Sequence, residues 1–154
     1  MKVAIGQDSH RIDYENKNKK LILGGVEFKE DFSMLANSDG DVVLHAITNA
    51  VSGITCQNIL GKIADDMCKN GITDSEEYLK EALKYLQDKI VHLSISIECK
   101  TPKITPKIPE MRKNMARILG VQEMQIGITA TTGEGLTGSG KGEGISVFAC
   151  ITVE

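Results

Sequence analysis

Along residues 91–99 apolar and polar side chains alternate without a break, VHLSISIEC, the two-residue period of a strand with one buried face. Leu44, Ile47, Val51 and Ile54 recur instead at spacings of three and four, which puts them on one stripe of a helix ending near residue 56. The SDGD run at 38–41, just ahead, supplies short acceptors for the open amides of that helix's first turn. A second helix is expected from Ser75 to about Lys89, opening on TDSEE at 73–77, acidic at the positive end of the helix dipole. A third fits 110–119 and stops at Gly120. Residues 2–6, KVAIG, predict a short buried strand, and a polar loop follows over roughly 11–20. Leu21–Leu23 and Val26–Phe28 flank Gly24 and Gly25 as a tight hairpin or one glycine-broken strand. Closing strands are expected at 125–131 and 144–153, while 101–109 holds all three prolines and should run extended and irregular.

This succession predicts an α/β chain of the α+β type, a single domain over 1–154 with one sheet layer and one helix layer. It is too short and irregular for a full Rossmann sheet. The glycine-rich stretch near residue 140 lies between strands rather than at a strand-to-helix turn, so it is no dinucleotide fingerprint.

Composition narrows the partners. The net charge is -3, and the basic cluster Lys17, Lys19 and Lys20 sits beside Asp13 and Glu15 as a solvated loop, which argues against nucleic-acid binding. No apolar run is long enough for a membrane span, and Met1–Ile5 has no signal-peptide layout, so a cytoplasmic protein is expected. Cys56, Cys68, Cys99 and Cys150 form no CxxC pair and read as reduced, mostly buried thiols.

Asp8 and His10 are two apart, so on extended chain both side chains point to one face. His45, on the predicted helix, can approach that face. Two imidazoles and one carboxylate leave a fourth tetrahedral position open, the layout of catalytic zinc. A chance D-x-H pair beside an ordinary helix histidine is the other reading, and spacing alone favours it. Asp41, four residues before His45, shares its helix face; it either orients the imidazole or only starts the helix. His92 reads as a structural strand residue.

The stretch ATTGEGLTGSGKGEG, 130–144, gathers hydroxyls, flexible backbone and a carboxylate in one loop. Such a loop can cradle phosphate oxygens, with Thr131, Thr132 and Ser139 as donors and Glu134 holding a hard cation. TPKITPKIP at 101–109, with Lys103, reads on its residues alone as a surface connector.

Together these segments resemble the 2-C-methyl-D-erythritol 2,4-cyclodiphosphate synthase family. The likeness runs in order through GQDSHRI (6–12), LILGGVEF (21–28), ANSDGDVVLHAIT (36–48), TPKITPKIPEMR (101–112), ATTGEGL (130–136) and GKGEGI (140–145). It implies a homotrimer with active sites between subunits, each subunit packing helices on one face of a mixed sheet. It implies cyclisation of a CDP-linked methylerythritol 2-phosphate with release of CMP. Asp8, His10 and His45 match the family's zinc ligands, and Glu134 matches the carboxylate for a second divalent cation, Mg²⁺ or Mn²⁺. Thr132 and Asn37 take the catalytic positions. Substrate contacts are implied for Ser9, Ser38, Gly61 and Lys141, and for Asp65 and Asp66. The cytidine pocket matches Cys99, Lys100, Thr101, Pro102, Lys103, Ile104 and Thr105, walled by Ala130 and Thr131.

The chain also departs from the family pattern. Asn37 stands where the family usually has a histidine; it can donate a hydrogen bond but carries no positive charge. Ile59-Leu60-Gly61 replaces Asp-Ile-Gly, leaving Asp65 and Asp66 as stand-ins, and Gly138 and Lys141 replace a phenylalanine and an arginine near the trimer axis. These changes leave two alternatives beside a synthase: a zinc- and CDP-binding homologue with altered or lost chemistry, or a zinc-dependent nucleotide phosphohydrolase.

Overall fold

A computed structural model describes Met1–Glu154. Its main sheet runs β4 (Ser33–Met34), β1 (Lys2–Asp13), β7 (Gly144–Val153), β5 (Ile90–Glu98), β6 (Ile126–Thr131). β5 and β6 are parallel and the other pairs antiparallel, so the sheet is mixed. β2 (Leu21–Leu23) and β3 (Val26–Phe28) form a separate hairpin across Gly24 and Gly25, both at positive φ, which settles the hairpin reading.

Alternation decides the two faces of the sheet. Leu93, Ile95 and Ile97 of β5, the odd-numbered residues of β7 from Ile145 to Val153, and Ile126 and Ile128 of β6 are buried. They pack under the helices α1 (Val42–Thr55) and α4 (Ile108–Leu119), while α3 (Ser75–Leu83) packs on α1. One contiguous core of 36 buried apolar residues results, so the chain is one folding unit. The opposite sheet face carries hydroxyls and the exposed apolar side chains Val3, Ile5 and Phe148.

Several elements differ from expectation. β1 continues to Asp13 instead of ending at Gly6. The next helix-facing positions after Gly6 are Asp8 and His10, before Ile12 resumes the core, so apolar alternation fades although the strand does not. α3 ends at Leu83, short of Lys89, in turns closed by Tyr85 N to Ala82 O and Leu86 N to Leu83 O. Residues 62–69 form a helix, α2 (Lys62–Lys69), stapled by Lys62 and Asp66 one turn apart; its stripe Ile63, Ala64 and Met67 packs on the core but spans only two turns and starts without a capping side chain. The proline segment begins with a cis Thr101–Pro102 bond, then tightens into a 3₁₀ turn at Thr105–Lys107 and enters α4 with Pro109 in the first turn.

α1 lies directly against β1 at Gly6. A Cβ there would lie 2.0 Å from Ala46 O and 2.2 Å from Ala50 N, against helix backbone that cannot rotate away. Gly6→Ala should therefore destabilise the fold by about 3 kcal/mol, read as a lowered urea midpoint, and should also weaken metal retention by lifting His45 off β1.

Candidate active site

β1 turns Asp8 and His10 toward the helix layer, and α1 brings His45 down between them. Asp8 Oδ2 lies 2.8 Å from His10 Nε2 and 3.1 Å from His45 Nδ1, and the two ring nitrogens are 3.1 Å apart. These are the only acidic, histidine or cysteine side chains that gather as a candidate metal cluster. Four ligands about 2.0 Å from a tetrahedral zinc stand about 3.3 Å from one another, so the three donors already sit near the corners of such a site.

The start of α1 is held by Asp41. Its carboxylate accepts from Leu44 N at 3.0 Å, Gly24 N at 2.8 Å and Gly25 N at 2.6 Å. Asp41 is thus the helix cap and a tie to the β2–β3 turn, and of the two readings open for it, orientation of His45 is the one that fails. Burial pushes its carboxyl up to about 6, against the pull of those amides. The group that meets the far side of His45 is Ser75 at the start of α3.

Charge in the triad is tightly paired. Burial acts to raise the Asp8 carboxyl, but the two imidazoles against it, His10 and His45, outweigh it and bring it to about 2. The Asp8 hydrogen bond raises His10 above its ordinary value, against burial.

The triad lies at the side of a cleft of about 470 Å³. Asn37 and Ser38 line it from the loop before α1, Asn49 from α1, Gly61, Asp65 and Cys68 from in and around α2, and Tyr78 from α3. Lys19 braces the rim loop, its Nζ donating to Met34 O and Ala36 O, each at 2.9 Å. Ile59 is fully buried in the core, so that position offers nothing to the cleft. Of the two acidic stand-ins only Asp65 faces the cleft; Asp66 is outside it, paired with Lys62 at 2.6 Å. Ser9 is also outside, because strand alternation turns it to the open sheet face, where Gln7 and Ser146 meet it. Asn49, Cys68 and Tyr78 are cleft residues that the sequence reading missed. Asn49 lies four residues after His45 on the same helix face, a spacing that could have found it.

A second cavity, about 350 Å³, is walled by Cys99, Lys100, Pro102, Lys103, Ile104 and Thr105 on one side and Ala130, Thr131 and Thr132 on the other. The proline segment is therefore a cavity wall rather than a plain connector. Thr101 is part of the bend but not of the lining. The Cys99 thiol is pushed up to about 11 by burial and the nearby Glu98 charge, and it donates to Pro102 O. It is inert as a nucleophile.

The glycine-rich stretch is folded, not slack. Gly133–Gly135 makes a 3₁₀ turn, and Gly138–Lys141 a short helix, α5, capped by Thr137, whose hydroxyl also donates to Glu98. Gly133 and Gly140 touch so closely that a Cβ on Gly140 would lie 2.8 Å from Gly133 O. Glu134 sits at the exposed tip with φ 51, a left-handed conformation that costs a non-glycine residue about 1 kcal/mol. Neither Glu134 nor Lys141 lines either of these two cavities. The two cavities share no lining residue.

Residues 1–154 match the YgbB family. The 2-C-methyl-D-erythritol 2,4-cyclodiphosphate synthase of Chlamydia muridarum is 50% identical over 99% of this chain and 87% of its own length. That of Chlamydia caviae is 47% identical over 99% of this chain and 88% of its own. Among solved structures, a CDP-bound 2C-methyl-D-erythritol-2,4-cyclodiphosphate synthase superposes with a TM-score of 0.87 at 25% identity, covering 99% of this chain and 100% of that one. IspF of Plasmodium falciparum, a CDP complex, gives 0.81 at 28% identity over 98% and 94%.

The paired charges set the pH response of the metal-free protein. Asp8 is depressed, so its stabilisation is present above 3.8 and lost as pH falls through about 2. His10 is raised, so its stabilisation is complete below 6.5 and lost as pH climbs through its folded-state value. A metal must displace the His10 proton. Divalent-metal affinity, measured by chelator competition between about pH 5.5 and 8, should therefore rise with pH; a flat profile would contradict the site.

Proposed function

The chain belongs to the YgbB family, and from that premise we propose that it closes 4-CDP-2-C-methyl-D-erythritol 2-phosphate into 2-C-methyl-D-erythritol 2,4-cyclodiphosphate, releasing CMP. This is a lyase step in isoprenoid precursor synthesis by the non-mevalonate route, performed by one synthase domain over residues 1–154. The observation that carries the reading is the convergence of Asp8, His10 and His45 beside a polar cleft, in a chain half identical to a named synthase.

In the reaction an oxygen of the 2-phosphate attacks the β-phosphorus of the diphosphate. The bond from that phosphorus to the bridging oxygen breaks, and the oxygen leaves on CMP. No water is consumed and nothing is oxidised. The attack is intramolecular, so the protein's task is to fold the substrate back on itself and offset phosphate charge.

We assign zinc to Asp8, His10 and His45, where it would supply a Lewis acid to the phosphate oxygens. Glu134 would hold a second divalent cation, Mg²⁺ or Mn²⁺. Ser38 and Asn37 donate hydrogen bonds from the rim loop, Asn37 without charge. Thr132, just past the end of β6, steadies the reacting phosphates. The walls Cys99, Lys100, Pro102–Thr105 and Ala130–Thr131 close on cytidine, with Thr101 in the bend behind them, and Gly61 and Asp65 face the methylerythritol part. Ser9, Asp66 and Lys141, outside both cavities of one chain, are left without a direct contact from that chain.

Because the two cavities share no wall, a complete site needs a second copy: the metal cleft of one subunit against the nucleotide cavity and Glu134 loop of its neighbour. We propose a homotrimer that covers Val3, Ile5 and Phe148 on the open sheet face. No helix is long and apolar enough to cross a membrane, and the net charge of -3 suits a small-molecule enzyme rather than a nucleic-acid binder. A cytoplasmic location fits this reading.

Purified protein loaded with zinc and Mg²⁺ should convert the CDP-linked substrate to cyclic diphosphate and CMP in equal amounts. An open phosphate product would mark a phosphohydrolase. Tight zinc and CDP binding without turnover would mark a homologue that has lost the cyclisation. Either result contradicts the proposal.

A further inference from the structure

His45 faces the triad through Nδ1, and its other nitrogen is also engaged. Nε2 lies 2.8 Å from Ser75 Oγ in a buried contact. Ser75 is fully buried at the first residue of α3. Its hydroxyl meets Asp39 Oδ1 as well, and its backbone N–H donates to Asp39 Oδ2 at 3.0 Å. Asp41 N adds a further donor to Asp39 Oδ1 at 3.0 Å.

Counting protons fixes the direction of this chain. The two amides on Asp39 are donors, so its carboxylate acts as the acceptor and takes the Ser75 hydroxyl proton. A serine hydroxyl has one proton to give. With that proton on the Asp39 side, Ser75 Oγ can only accept from His45, and the imidazole proton sits on Nε2. Nδ1 is then a bare lone pair. It faces Asp8 Oδ2 at 3.1 Å, itself an acceptor. Two acceptors that close repel unless a cation, or the His10 Nε2 proton 3.1 Å from Nδ1, stands between them. The same chain that fixes the tautomer therefore favours a metal over a direct His45–Asp8 hydrogen bond.

We infer that Ser75 and Asp39 are positioning residues for the metal, locking His45 with Nε2 protonated and Nδ1 aimed at the ion. They act through His45 and touch neither metal nor substrate. Their anchorage is firm: α3 is pinned to α4 by the two-pronged Glu76–Arg117 pair, at 3.1 and 2.8 Å. The inference rests on His45 being a metal ligand, and its first readout does not need the metal.

The test is the ¹⁵N spectrum of the His45 ring in metal-free protein, followed by zinc affinity from chelator competition. Wild type should show a protonated Nε2 and a lone-pair Nδ1. Ser75→Ala should let the tautomers mix and raise the zinc dissociation constant about 10- to 100-fold, the usual effect of losing a group that orients a metal ligand. Asp39→Asn keeps the shape and removes the charge that draws the hydroxyl proton, so it should shift the tautomer the same way. It also carries the test if Ser75→Ala does not fold. Proton on Nδ1 in wild type overturns the inference. So do variants that keep wild-type ring shifts and zinc affinity within about twofold, even if they melt earlier. A wild type that binds no zinc overturns the functional reading instead, while the tautomer measurement still decides this one.

Discussion

At residue 6 the sheet and helix α1 come so close that a methyl group would strike the helix backbone. The site depends on that approach. Asp8 is two residues further along the strand, and His45 is the helix residue beside Ala46, the contact point. From Val42 to Val51 every residue of α1 except Asn49 is buried, so the helix cannot rock without disturbing the core. Asp41 holds its first turn to the β2–β3 hairpin, and the Ser75–Asp39 pair holds His45 from α3. The metal donors are side chains of rigid elements, and their 2.8–3.1 Å separations follow from packing rather than from a loop's chance conformation.

The parts legible in the sequence are those where one period dominates. β5 alternates cleanly and α1 carries a full apolar stripe, so both emerged with boundaries close to those observed. β1 was cut short because its functional residues occupy the buried face and break the apolar rhythm. α2 was missed because eight residues that start without a capping side chain are too short for their apolar stripe, Ile63, Ala64 and Met67, to read as a period. Asp8, His10 and His45 were visible as a possibility in spacing and gained a specific task only from the family likeness. Ser75 was not visible as a site residue at all. Thirty positions separate it from His45, and only the packing of α3 on α1 brings them together.

The departures from the family pattern gain a physical meaning from the fold. Ile59 is core, so the carboxylate expected there is absent from the cleft, and Asp65 on α2 is the acidic group that faces it. Asn37 stays on the rim, on a loop braced by the Lys19 ammonium through two carbonyls. A neutral donor on a braced loop can orient phosphate but cannot offset its charge. In this account charge neutralisation falls more heavily on the metals, which makes the donor set at Asp8, His10 and His45 the centre of the chemistry.

That donor set is most directly read by zinc K-edge X-ray absorption of the zinc-loaded protein. The account predicts a four-coordinate ion with two imidazole nitrogens and oxygen in the remaining positions, at bond lengths of about 2.0 Å. A sulfur in the first shell, which would place Cys68 on the metal, or a six-coordinate ion held largely by water, would contradict it.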